Sequence, residues 1–167
     1  MANKEDGLLD DTDARAEFYD NHLVPAVFTK WALLLVNAAR VMPGQRILDV
    51  ACGTGIVARV VADQLGGRAA IAGFDLNKSM LKVARRLCPD IDWHQGNAMY
   101  ISFTDESFDV VLCQAGLMFF PDQVVALQEM RRMLCSGGRI AVQVPRIMPQ
   151  AFEATGEVPV SYTHLRA

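Results

Sequence analysis

The 167-residue chain is poor in several features that would place it quickly. It has only four cysteines, Cys52, Cys88, Cys113 and Cys135, and none are in C-x-x-C spacing. That pattern excludes a zinc-ribbon site and a disulfide framework and fits reduced thiols, so no metal is expected. No uninterrupted apolar run approaches the roughly 18 residues that a membrane-spanning helix needs, so no membrane span is expected. Charge of neither sign dominates: 16 basic residues stand against 19 acidic ones, a net charge of −3. The adjacent basic pairs Arg85-Arg86 and Arg131-Arg132 fall within helical patterns and read as solvated helix faces, so no nucleic-acid partner is expected. The amino terminus, MANKEDGLLDDTDARAEF, is polar and acidic and lacks the apolar core of a signal peptide, which leads to an expected cytoplasmic location. Internal repeats and low-complexity segments are absent too.

What is present is an ordinary globular composition, 51% hydrophobic and 21% charged, enough for one domain with a substantial core. Residues 1–12 lack periodicity and read as a mobile tail, 13–150 as the domain, and 151–167 as an irregular tail. A short helix is predicted from Asp13 to Asn21, with Pro25 in the first turn of the next. Val27, Phe28, Trp31, Leu34, Leu35 and Ala38 then recur at helical spacing, until MPGQ supplies a turn. Strands are predicted at 45–50, 69–75, 91–94, 108–113 and 138–144, and helices at 54–65, 77–87 and 121–134. Asn77 suits a helix start, and Gly66-Gly67 and Gly137-Gly138 suit helix ends. Strands alternating with helices imply a Rossmann-like, doubly wound sheet of about five parallel strands, with helices on both faces.

The segment DVACGTGIVAR, residues 49–59, carries the functional signal. Gly53 and Gly55 let the chain turn sharply after the first strand and approach a ligand closely. Asp75 ends the second strand 20 residues after Gly55, where a carboxylate can grip a ribose diol. Two cofactors fit so far. Gly53, Gly55 and Ala58 satisfy a dinucleotide fingerprint, but Asp49, inside the end of the first strand, would repel a pyrophosphate. An adenosine joined to an amino acid suits both carboxylates, the ribose on Asp75 and the ammonium near Asp49, and that description is S-adenosyl-L-methionine.

DVACGTG resembles the acidic-x-Gly/Ala-x-Gly-x-Gly signature of the class I S-adenosylmethionine-dependent methyltransferases, with Ala51 in place of the commoner first glycine. The resemblance continues in order through GFDLNKSMLKVARR (73–86), WHQGNA (93–98), FTDESFDVVLCQAGLMFFPD (103–122) and EMRRMLCSGGRIAV (129–142). It covers roughly residues 18–145 and is similar in style to the small-molecule branch that includes quinone-biosynthesis enzymes. It implies that Ala51, Cys52, Gly53, Thr54 and Gly55 line the methionine half of the cofactor, that Asp75 binds the ribose, and that Leu76 and Met80 pack on the adenine. Gly96, Asn97 and Ala98 match the family's Gly-Asp-Ala segment beside the adenine amino group, with Asn97 accepting there in place of the usual acid. Gln114 would face the methionine portion, mostly through its backbone, and Tyr19 would close over the cofactor carboxylate. Phe119 and Phe120 either line an acceptor pocket or pack in the core. His22 and His94 read as structural.

The implied reaction is methyl transfer to a small-molecule acceptor by in-line displacement, which needs positioning and exclusion of water more than a general base. No residue earns a catalytic role by spacing, so none is named. Two alternatives remain, an inactive cofactor-binding fragment and an NAD-binding oxidoreductase domain. The final VPVSYTHLRA fits neither the helix nor the antiparallel strand pair that follow strand five in the family, and it resembles translated adapter sequence. The expectation is therefore a truncated chain, prone to self-association through an exposed strand-five edge.

Overall fold

The structure is a computed structural model, and it describes residues 11–145 together with the backbone of 160–166. Six strands form one sheet: β1 (Arg46–Val50), β2 (Ala70–Asp75), β3 (Asp92–Gln95), β4 (Phe108–Gln114), β5 (Leu134–Pro145) and β6 (Val160–Arg166), in the order β3-β2-β1-β4-β5-β6. The first five pair in parallel, and β6 pairs antiparallel with β5 from Pro145↔Val160 to Arg139↔Arg166. The parallel sheet is as expected.

The edge of the sheet is not. Residues 160–166, expected to be irregular, form β6, and the β5 edge expected to be bare is paired from Arg139 to Pro145. One antiparallel strand is thus present where a missing strand pair was expected. Val160, Tyr162 and Thr163 have the branched or aromatic side chains that favour a strand, a signal that the resemblance to adapter sequence obscured.

Period-two alternation explains why both faces of the sheet are apolar. Ile47, Val110, Leu112 and Ala141 face helices α2 (Thr29–Ala39) and α3 (Ile56–Leu65), packing with Leu35, Val36, Val57 and Val61. Their neighbours Leu48, Val111, Cys113, Ile140 and Val142 face the other way, onto Ala126 and Met130 of α5 (Gln123–Arg132). α4 (Lys78–Leu87) covers the β3 side through Leu81 and Ala84, against Ala58 and Trp93. Each fully buried Leu or Ile contributes about 1.5–3 kcal/mol.

The amino-terminal helices differ from expectation. α1 (Asp11–Phe18), a π-helical segment (Tyr19–Phe28) and α2 follow one another without a break. Residues 1–10 of the expected tail lie outside the described residues, while Asp11 and Thr12 are helical. Pro25 sits inside the wide turns rather than in a first turn. A proline has no N–H to donate, and widened i→i+5 pairing is one way a helix absorbs it. Both the N–H and the Oγ1 of Thr29 donate to Val24 O, five residues back. By length and composition alone, Thr12–Ala39 is a helix able to cross a membrane, with mean hydropathy 1.3 over its most apolar window. The expectation of no such segment had counted uninterrupted apolar residues rather than the average. The inner side of α2 is nonetheless committed to the core, where Ala32, Leu35 and Ala39 are fully buried.

Gly137-Gly138 do not end a helix either. α5 stops at Arg132, and the glycines lie in β5, where the register against β4 jumps from Phe108↔Leu134 to Val110↔Arg139. Gly137, at φ +77, takes up the bulge.

Candidate cofactor site

The strand order runs from β1 outward to β2 and β3, then returns to β4 and β5, so the loops after β1 and β4 part from each other. Ligands of such sheets bind in that crevice, beyond the carboxyl ends of the strands. A cavity of about 800 Å³ occupies it. Ala51 and Gly53 come from the β1 loop, Asp75, Leu76, Asn77 and Met80 from the end of β2, and Gly96, Asn97 and Ala98 from the end of β3. Gln114 to Gly116 and Met118 to Pro121 follow β4, and Tyr19, Leu23, Val27, Phe28 and Trp31 form a helical wall.

The loops are held in unusual backbone conformations. Ala51 (φ 56) and Ala115 (φ 51) are both left-handed, and the two loops touch closely enough that a Cβ on Gly116 would lie 2.5 Å from Ala51 Cβ. Non-glycine residues in this region are strained and tend to cluster at functional sites.

Asp75 is held in place on the wall by two backbone donors. Gly53 N–H donates to its Oδ2 at 2.8 Å, and Asn77 N–H donates to its Oδ1 at 2.8 Å. Each oxygen keeps a second lone pair. Burial raises its pKa above the ordinary carboxylate value. Asn77 caps α4 as expected, accepting from the N–H groups of Ser79 and Met80.

Asp49 lies behind the loop and not on the cavity wall. It is 1% exposed, and its Oδ2 accepts from Ala58 N–H at 3.1 Å. Burial pushes its pKa up to about 8, with the charge of Asp75 adding to the rise.

Cys52, Thr54 and Gly55 also stand off the wall. Cys52 and Thr54 are buried beneath it, and Gly55 begins α3. A Cβ on Gly55 would collide with the Trp93 ring, so this glycine serves packing.

Ala51, Gly53, Asp75, Leu76, Met80, Gly96, Asn97, Ala98, Gln114 and Tyr19 are all brought to the cavity. Asn97 Oδ1 already accepts from Met99 N–H at 3.0 Å, so part of its acceptor capacity serves the turn. Gln114 is 8% exposed, and its Nε2 donates to Phe28 O at 3.1 Å, joining β4 to the helical wall. Burial first, then the carboxylates of Asp75, Asp20 and Asp49, raise the pKa of Tyr19, which stays a neutral phenol. Phe119 and Phe120 are on the wall, as the pocket reading of them requires.

His94 lies 2.7 Å from Asp92, and the His22 ring sits tilted against Phe18 with ring centroids 4.4 Å apart. Neither is on the cavity wall. No cluster able to hold a metal occurs among the described residues.

Leu23 and Trp31 are wall residues that the sequence did not single out as such. Trp31 falls in the helical spacing, but Leu23 lies on the other side of Pro25, and a proline placed in a first turn hides a wall built across it.

Residues 48–142 match a family described as methyltransferase domain. The demethylmenaquinone methyltransferase of Listeria welshimeri is 38% identical over 117 residues, covering 67% of this chain and 50% of that protein. The 2-phytyl-1,4-naphtoquinone methyltransferase of Synechococcus elongatus is 33% identical over 146 residues, covering 82% and 61%. The chain therefore spans about half to three-fifths of the length of these relatives. In fold, it is similar to a SAM-dependent methyltransferase from Aquifex aeolicus, with a TM-score of 0.72 at 14% identity, covering 86% of this chain and 77% of that one. With the glycine loop, the strand-end carboxylate and the crevice in matching order, the chain belongs to the methyltransferase domain family, among the class I S-adenosylmethionine-dependent methyltransferases.

Proposed function

We propose that the chain binds S-adenosyl-L-methionine and serves methyl transfer to a small, flat, apolar acceptor of the quinone kind. The observation that carries this reading is the pinned carboxylate of Asp75. Two backbone N–H groups orient it on the cavity wall, and its spare lone pairs suit a ribose diol.

The residues present fit the cofactor. A Cβ on Gly53 would meet nothing nearer than Tyr19 Cε1 at 4.0 Å, so there is room between the loop and the phenol. Leu76 and Met80 offer apolar surface beside Asp75, and the backbone of Ala51–Gly53 offers polar groups for an amino-acid moiety. A dinucleotide fits less well. Its pyrophosphate would need the N–H groups opening α3, but Ala58 N–H already donates to Asp49.

When bound, S-adenosylmethionine supplies a methyl group activated by a sulfonium charge. The chain's own part is to hold an acceptor in line and keep water away. Phe28, Trp31, Phe119, Phe120 and Pro121 make the remaining wall apolar, which suits a ring system better than a charged substrate. The relatives named for demethylmenaquinone and 2-phytyl-1,4-naphtoquinone favour the same acceptor class.

Titration calorimetry with S-adenosylmethionine, S-adenosylhomocysteine and NAD tests the cofactor, and tighter NAD binding overturns it. Release of S-adenosylhomocysteine in the presence of reduced naphthoquinones tests the acceptor. Cofactor binding without release on any acceptor favours the second reading, a cofactor-binding segment without turnover.

A further inference from the structure

One surface beside the cavity is unlike a water-facing helix. Lys30, Leu33, Leu34 and Asn37 are all exposed, and steps of three and four residues place them along one side of α2, with Leu23 and Ala26 exposed in the π-helical segment just before it. Leu23, Leu33 and Leu34 are 42%, 41% and 50% exposed. Charge along this stretch has one sign. From Asn21 to Arg40 the sequence has no Asp or Glu, and its full charges are Lys30 and Arg40. The acids just ahead of it are engaged elsewhere: Asp13 with Lys82, Glu17 with Arg86 and Asp20 with Arg59. The stripe also reaches the cavity, because Leu23 belongs to its wall together with Met118 and Phe119, the latter 79% exposed.

We propose that this stripe seats the protein on an anionic lipid bilayer, lying in the headgroup layer with the cavity rim at the acyl boundary. Apolar side chains enter the interface while lysine and arginine heads reach lipid phosphates, and the two attractions add. The run does not span, because its opposite side carries Ala32, Leu35 and Val36 into the core. A second copy of the chain is a poorer occupant. A two-fold contact centred on this stripe would set Lys30 against its own copy, whereas an anionic surface complements it. The stripe stands independently of the methyl-transfer reading. Only the idea that an apolar acceptor enters from the bilayer rests on that reading.

Flotation with phosphatidylcholine vesicles, with and without phosphatidylglycerol, tests the proposal. The full chain is expected to bind the anionic vesicles at least about tenfold more tightly. Leu33→Gln with Leu34→Gln should lower that binding about tenfold while leaving the S-adenosylhomocysteine affinity and the urea midpoint unchanged. Lys30→Glu should weaken binding to the anionic vesicles alone. Absence of flotation, or flotation indifferent to the Leu33/Leu34 pair, overturns the proposal. So does a dimer in sedimentation velocity that the same pair dissolves, which would assign the stripe to a second copy. Vesicle binding without S-adenosylhomocysteine binding would remove the methyl-transfer reading and leave the docking surface standing.

Discussion

A methyl group on Gly55 would stand 2.3 Å from Cη2 of Trp93, inside the van der Waals radius of the ring. Gly55 also sits at φ +85, a region costly for any residue with a Cβ. Gly53, two residues earlier, has open space above it. The two glycines of one motif therefore serve different ends, core packing and ligand access.

Gly55→Ala should accordingly destabilise the fold by roughly 2–4 kcal/mol, from overpacking and left-handed strain together. Urea unfolding monitored by tryptophan fluorescence measures it. Gly53→Ala should cost about 1–2 kcal/mol from backbone strain alone, and should weaken cofactor binding as well.

Asp75→Asn tests the ribose contact. Losing charge-assisted hydrogen bonds worth roughly 1.5–3 kcal/mol should lower S-adenosylhomocysteine affinity about ten- to a hundredfold. Titration calorimetry gives the affinity, and circular dichroism should report unchanged helix content. If affinity is unaltered, Asp75 is only a loop and cap residue.

Stability should fall as pH rises, and Asp49 is the reason. Its native pKa of about 8 lies above the ordinary carboxylate value, so the folded state holds a proton that the unfolded state releases. The stabilisation is complete below the unfolded value of about 4 and is lost progressively up to about pH 8. Asp75, also raised, acts in the same direction. Asp49→Asn should flatten much of this slope. Urea midpoints of both proteins from pH 5 to pH 8.5 check it; a wild-type midpoint that climbs with pH contradicts it.

Arg132 ties the loop before β4 to α5. Its guanidinium donates to Glu129, to Asp105 and to the carbonyls of Ile101 and Phe103. Arg132→Leu orphans those carbonyls and should cost roughly 1–3 kcal/mol. Arg132→Lys should recover little, because a point charge cannot reproduce the planar fork. Thermal melts of the two variants make the comparison.

Much of this architecture can be read from residue patterns, because short apolar runs between glycine and asparagine punctuation admit few alternatives. RILDV, AIAGFD and FDVVLCQ fall close to their expected strands, and Asn77 caps α4. The carboxylate at the end of β2 was legible because its distance from the glycine loop is dictated by one βαβ passage. What was not legible depends on contacts distant in sequence. Nothing local reveals that Trp93 fills the space over Gly55 and Gly73, or that Gln114 reaches back to Phe28. Pro25 misled because widened helical turns can absorb a proline that ordinary ones cannot. β6 was missed because the likeness of its sequence to adapter sequence outweighed the strand-favouring residues in it, and its partner β5 is not adjacent in sequence.

The burial of two thiols makes the glycine loop observable. Cys52 lies within the loop and Cys113 beneath it, and burial raises both pKa values, that of Cys113 to about 12. Cys88 and Cys135 are only partly covered. An alkylating reagent should therefore reach Cys88 and Cys135 first, although their pKa values are raised as well, and Cys52 only as the β1 loop opens, while Cys113 stays shielded in the core. Mass spectrometry of Cys52 would act as a clock for loop opening, and a ligand that bridges the loops should slow that clock without altering Cys88 and Cys135.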